Sequence, residues 1–261
     1  MPHRYLTLTV NVHVATITLT QPEIRNAFSD EVIVEITEAF RVAAERPDVR
    51  AVVLAAEGPA FCAGANLNWM RNMANYSRDE NLQDAGVLAE MMRTIYHCPK
   101  PTIARVQGDV YAGGMGLVAA CDMAVAVESA NFCLSEVKIG LVPATIAPYV
   151  LRAMGPRAAH RYFLTGERFD AQEALRIGFV HKVVAPDALD QAVDSLLIAL
   201  MTAGPHAVQA CKRLVIDTAE REINAELIAQ TVECIADIRA SEEGKEGIQA
   251  FLSKRKPSWL S

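Results

Sequence analysis

One carboxylate in this sequence sits where its chemistry would change. Glu136 interrupts the run Phe132-Cys133-Leu134-Ser135-Glu136-Val137-Lys138-Ile139-Gly140-Leu141-Val142-Pro143, which is otherwise largely apolar. Burial disfavours the charged form and raises a carboxyl pKa toward neutrality, where the group can both take and return a proton. The competing reading is a Glu136–Lys138 surface pair on a strand edge; the apolar flanks on both sides favour proton transfer. Two loops of very small residues could supply the complementary feature, a place for negative charge. Phe61-Cys62-Ala63-Gly64-Ala65-Asn66-Leu67 follows a buried apolar segment and would let a ligand approach bare peptide groups. Taken alone, its spacing favours a tight turn with Gly64 at positive φ. Gly108-Asp109-Val110-Tyr111-Ala112-Gly113-Gly114-Met115-Gly116 opens a helix. Its first N–H groups lack intrahelical partners and carry the positive end of the helix dipole, so they can hold a developing oxyanion. Close helix–sheet packing would explain the same glycines.

Other chemistries lack their residues. No Gly-Lys-Ser/Thr follows the second loop and the G-x-G-x-x-G spacing is absent, which removes a phosphate loop and a dinucleotide fingerprint. The six histidines form no H-x-x-x-H pair or carboxylate cluster, so no metal site is expected. No serine stands in a G-x-S-x-G elbow. Cys62 adjoins the first loop without an evident histidine partner and reads as a packing residue rather than a nucleophile. Trp69 and Met70 read as core.

The elements that must position these groups follow from periodicity. Residues 5–10 and 14–19 read as a β-hairpin, and a helix begins near Ser29 with Ile33, Ile36, Phe40 and Ala43 on one face and Pro47 beyond its end. Residues 50–55 are continuously apolar, as in a strand covered on both faces. Residues 58–66 read as a loop leading into a helical stretch, 78–96 as an amphipathic helix and 102–106 as a strand. The glycine-rich loop spans 108–116, with a short helix over 117–120 and strands over 122–127 and 131–134. Helices then dominate (146–154, 157–164, 171–177, 187–201, 206–220, 225–239 and 243–253), with a single strand at 179–184. The alternation predicts an α/β class followed by a helical region.

Composition narrows the partners. The chain has 261 residues, 51% hydrophobic and 21% charged, with a net charge of −6 and no run of like charge, which argues against a nucleic-acid surface. No apolar stretch approaches the ~18 residues of a membrane helix. Residues 1–4 lead straight into the first strand with no secretory pattern, and the six cysteines are scattered without C-x-x-C. A cytoplasmic protein with reduced cysteines is therefore expected.

Arg25-Asn26-Ala27-Phe28, the 61–67 loop, Pro99-Lys100-Pro101-Thr102-Ile103-Ala104, Ala112-Gly113-Gly114-Met115-Gly116-Leu117 with Cys121-Asp122, the 136–143 run and Leu164-Thr165-Gly166-Glu167-Arg168-Phe169 occur in one register. Together they resemble the enoyl-CoA hydratase/isomerase (crotonase) superfamily along essentially the whole chain. The resemblance implies a crotonase-like spiral of β-β-α turns over residues 1–190, holding the CoA and acyl sites. It further implies a C-terminal helical trimerisation region over 191–261, giving a homotrimer or a dimer of trimers. It assigns the oxyanion-holding N–H groups to Ala65 and Gly113 and the proton transfer to Glu136. Arg25, Ala27, Ala63, Leu67, Gly114 and Gly116 match substrate-binding positions, with Arg25 suited to phosphate. Coenzyme A enters as part of an acyl-thioester substrate, and no separate cofactor or metal is expected.

Three departures qualify the match. Hydratases of the family typically carry two glutamates, and the first falls here on Gly116. Asn66 stands where aspartate is usual, and Ala144-Thr145-Ile146-Ala147-Pro148 replaces a glycine-rich stretch. The combination is similar to bacterial 3-methylglutaconyl-CoA hydratases of leucine degradation and to isohexenylglutaconyl-CoA hydratases. The expectation is reversible hydration of a branched 2-enoyl-CoA, with the space at Gly116 admitting a bulky acyl chain. A Δ3,Δ2-enoyl-CoA isomerase, which needs one base only, is the alternative, and a silent acyl-CoA-binding subunit is the third reading. For a distal substrate carboxylate, Lys138, Arg71 and Arg152 are the candidate cations.

Overall fold

The computed structural model describes residues 3–260; residues 1, 2 and 261, which fall within the expected N-terminal reading and the two expected regions, lie outside them. β1 (Leu6–Asn11) and β2 (Val14–Leu19) form the antiparallel hairpin, with Ala15, Ile17 and Leu19 turned inward. Val12 and His13 turn the chain, both at positive φ, a geometry that follows the twist of paired strands. After a 3₁₀ turn over Pro22–Ile24, α1 (Asp30–Glu45) buries the expected face of Ile33, Ile36, Phe40 and Ala43. Ser29 stands at its N-cap without a side-chain capping bond. β3 (Ala51–Ala56) is buried along its length and is followed by β4 (Ala60–Cys62), α2 (Leu67–Met73) and α3 (Arg78–Tyr96). Next come β5 (Thr102–Val106), β6 (Asp109–Tyr111), α4 (Gly113–Ala120), β7 (Met123–Val127) and β8 (Asn131–Cys133). A 3₁₀ turn over Glu136–Ile139 leads to α5 (Ala147–Thr165), β9 (Phe169–Asp170), α6 (Ala171–Arg176) and β10 (Lys182–Val184). The remainder is helical: α7 (Leu189–Thr202), α8 (Pro205–Thr218), α9 (Ala225–Ala240) and α10 (Glu242–Leu252).

The strands assemble into a spiral. A six-stranded sheet runs β1-β2-β3-β5-β7-β10 and a four-stranded sheet runs β4-β6-β8-β9. Each of three successive turns gives one strand to the large sheet (β3, β5, β7) and the next to the small one (β4, β6, β8). Within each sheet these strands pair in parallel. Helices complete the turns, so apolar strand faces are covered on both sides, as parallel sheets require. Beyond the spiral, Lys212 on α8 is tied to the start of β5: its Nζ stands 2.7 Å from Asp122 Oδ2 and donates to Lys100 O at 3.1 Å. Asp122 Oδ2 also accepts from the Thr102 N–H and hydroxyl, so this half-buried pair has its hydrogen bonds met.

Several expectations need correction. The loops read over 58–66 and 108–116 contain β4 and β6, each only three residues long, too short for a period-2 pattern to register. α4 begins at Gly113 rather than at 117, because burial against the sheet outweighs the poor helix propensity of its glycines. The two helices expected over 146–164 meet at Gly155 (φ 73, ψ 160), directly before Pro156. The strand at 179–184 shortens to β10, and β9 adds a second strand to a region read as having one. Glu136 lies on a 3₁₀ turn, not a strand edge.

Candidate active site

The small sheet brings the three chemically suggestive segments together. In register, Cys62 on β4 stands opposite Val110 on β6, and Tyr111 on β6 opposite Cys133 on β8. Parallel strands ~4.8 Å apart deliver whatever follows them to the same edge of the sheet. The segments beginning at Ala63, Ala112 and Leu134 therefore leave side by side, although some fifty and twenty residues of chain separate them.

Two N–H groups lie on the loops that meet at this end of the sheet. Ala65 forms a parallel bridge with Phe28, in which the Phe28 N–H donates to Gly64 O and the Asn66 N–H donates to Phe28 O, both at 2.9 Å. The Ala65 N–H between them points away from the bridge and has no acceptor among the described residues. Gly64, at φ +86, seats this loop against the next: a Cβ there would lie 2.9 Å from Ala112 Cβ and 3.5 Å from the Gly113 nitrogen. Gly113 is the first residue of α4, and its N–H likewise has no acceptor among the described residues. Ala112 turns it outward by adopting φ 47, ψ −123, a conformation that is costly for a residue with a Cβ. The dipole of α4 adds positive potential at the same N–H.

Glu136 follows β8 by three residues and is half-buried. Its carboxylate Oε2 is buried with no hydrogen-bond partner. Desolvation raises its pKa above the usual carboxylate value, only partly offset by its own backbone N–H. An unpartnered, desolvated carboxylate can move a proton, and unpartnered N–H groups can hold the negative charge that builds on an oxygen as it does so.

The remaining predicted residues distribute unevenly. Arg25 is exposed, and its carbonyl accepts the Ala63 N–H at 3.0 Å, so it borders the first loop. Ala27 and Gly114 are buried, Ala63 is half-buried, and Leu67 at the start of α2 is 68% exposed. Gly116 departs from expectation: its missing side chain leaves no room for substrate. A Cβ there would lie 2.3 Å from Ile146 Cγ2 and 2.9 Å from Met92 Cε. Ile146 and Met92 were not singled out as site residues, although the unusual 144–148 stretch contains the first of them. The three candidate cations do not converge. Arg71 on α2 donates to Asn68, and Arg152 on α5 donates to Pro148 O and lines a cavity of about 560 Å³ with Asp122, His181 and Lys212. Only Lys138 shares the turn of Glu136. Burial pushes the Cys62 thiol up to about 12, which holds it protonated. Among the described residues no group of His, Cys, Asp and Glu could hold a metal, and no helix is long and apolar enough to cross a membrane.

The chain matches the family model described as enoyl-CoA hydratase/isomerase over residues 9–261. An enoyl-CoA hydratase structure from Shewanella pealeana is 43% identical, superposes with a TM-score of 0.96, and is matched over 98% of this chain and 96% of its own. An enoyl-CoA hydratase structure from Mycobacterium smegmatis is 36% identical with a TM-score of 0.93, covering 99% of this chain and 100% of its own. The (E)-benzylidenesuccinyl-CoA hydratase of Thauera aromatica is 31% identical over 256 residues, 97% of this chain and 98% of its own length.

Proposed function

Because the chain belongs to the enoyl-CoA hydratase/isomerase family, we propose that it adds water reversibly across the 2,3 double bond of a branched enoyl-CoA, with 3-methylglutaconyl-CoA as the assigned substrate. In this reading the thioester oxygen lies between the N–H groups of Ala65 and Gly113, which draws electron density from the β-carbon. Glu136 takes a proton from water as its oxygen bonds to that carbon. The negative charge passes to the thioester oxygen as an enolate. Glu136 then returns the proton to the α-carbon, so one water is consumed and the carboxylate is regenerated. Arg25, beside the first loop, faces the phosphates of coenzyme A, which enters as part of the substrate; Ala27, Ala63, Leu67 and Gly114 line its path.

The observation that carries this reading is Glu136 Oε2, buried and unpartnered, on the 3₁₀ turn that follows β8, at the end of the small sheet from which the loops of the two unpartnered N–H groups also leave. A carboxylated, branched acyl group is supported by the Thauera relative named for a succinyl-type enoyl-CoA. Glu136→Gln should lower hydration of 3-methylglutaconyl-CoA by about a hundredfold or more; near-intact turnover would remove Glu136 as the base.

One observation favours the isomerase alternative. Ile146 and Met92 fill the position where a second glutamate would project, and moving a double bond needs a single base. Incubation in oxygen-18 water separates the two, since label enters the product of a hydratase and never that of an isomerase. Tight binding of straight-chain, branched and carboxylated enoyl-CoAs with turnover of none would instead point to a silent binding subunit. We further propose a cytoplasmic homotrimer or dimer of trimers built through residues 191–261. Ile228, Val232 and Ile235 form an exposed stripe along α9, and Phe251 and Leu252 are exposed on α10. Light scattering of the purified chain gives the copy number.

A further inference from the structure

The two candidate donors belong to different turns of the spiral, so their separation must be set by something that touches both. Phe28 does. Its main chain makes the two 2.9 Å hydrogen bonds to Gly64 and Asn66 that leave the Ala65 N–H facing outward. Its ring lies on Gly113. A Cβ added to that glycine would stand 2.4 Å from Phe28 Cζ and 3.2 and 3.4 Å from its Cε atoms, and these are the three nearest atoms to the position. Behind the ring stands Trp69, with centroids 6.1 Å apart. The Trp69 indole N–H donates to Asp84 on α3 at 2.9 Å. Phe28 and Trp69 are 1% and 6% exposed. Two flat groups with few rotatable bonds, their planes tilted 51° to each other, thus pack in series from α3 to the side-chain position of Gly113.

We propose that Phe28 is a positioning residue for the reaction: its backbone aims the Ala65 N–H and its ring sets where the Gly113 N–H stands. The inference rests on the reading that the thioester oxygen is held between those two groups. A donor pair works only while both reach one oxygen, and a displacement of ~1 Å at such a site can cost about a hundredfold in rate. Removing the phenyl group leaves a cavity that its surroundings close only partly, and Gly113 is the group resting on it.

The test uses the full-length enzyme and butyryl-CoA carrying carbon-13 at the thioester carbonyl, a saturated probe that cannot be hydrated. In the wild type the bound carbonyl stretch should lie below that of the free ester. Phe28→Ala should return it most of the way to the free position and lower kcat by about a hundredfold with KM little changed. Phe28→Leu, which fills more of the site, should show the same changes to a lesser degree, and it decides the matter if the alanine variant does not fold. Phe40→Ala, a truncation of an equally buried ring on α1, should lower stability while leaving the carbonyl band at its wild-type position. A wild-type band that shifts on binding and stays shifted in both Phe28 variants overturns the inference alone. An unshifted band in the wild type overturns the oxyanion reading, and this inference with it.

Discussion

Replacing Gly116 by alanine sets two effects of known sign against each other. In an ordinary helix interior the change contributes about 1 kcal/mol of stability, because glycine loses more backbone freedom on folding. Here the new methyl would lie 2.3 Å from Ile146 Cγ2, 2.8 Å from Ile146 Cβ and 2.9 Å from Met92 Cε, all well inside the ~3.5–4.0 Å of ordinary carbon–carbon contact and the first by more than ~1 Å. Met92 is flexible and can swing its terminal methyl. Ile146 is branched at Cβ and 1% exposed, so it cannot move without shifting the start of α5. Overpacking of this kind costs ~1–3 kcal/mol, and the depth of the overlap puts it near the top of that range. The net expectation is a loss of about 1–2 kcal/mol, a fall of roughly 2–8 °C in the melting midpoint for a chain of this size. Urea and thermal unfolding would measure it, alongside Ile146→Ala and the double variant. In the Ile146→Ala background the same Gly116→Ala change should cost little or become stabilising, a coupling on the order of 1–3 kcal/mol. Stabilisation by Gly116→Ala alone, or an equal effect in both backgrounds, would refute the claim that Ile146 fills this position.

Two further outcomes follow from the same edge of the sheet. The folded-state pKa of Glu136 is raised by desolvation, so the folded state holds its proton to higher pH than the unfolded chain does. Stability therefore falls as pH climbs from the ordinary carboxylate value through the raised one, then levels off. Glu136→Gln should match the wild type in acid and exceed it at neutral pH. A difference that is constant across pH melts would contradict this. Ala112→Gly should relieve the strain of φ 47, ψ −123. That strain costs a Cβ-bearing residue ~1–3 kcal/mol, against the ~0.5–1 kcal/mol by which glycine's added freedom favours the unfolded chain. A small rise in the unfolding midpoint is expected, and a clear fall would show the conformation to be unstrained.

Much of this protein was legible in the amino-acid order because local patterns carry it. The inward alternation of β2, the continuous burial of β3 and the apolar face of α1 are written in residue spacing, and the structure has each where periodicity puts it. The desolvation of Glu136 was foreshadowed by its apolar flanks. Three-residue strands carry no readable period, so β4 and β6 emerged only as parts of a sheet whose parallel neighbours supply their hydrogen bonds. Pairing across the small sheet alone decided that the segments after Cys62, Tyr111 and Cys133 share an edge, because strand register is a relation between distant residues. The same holds at Gly116. Absence of a side chain looked like space when read along the chain, and the fold assigned that volume to Ile146, thirty residues on, because a close-packed interior leaves no void that a neighbouring side chain can fill.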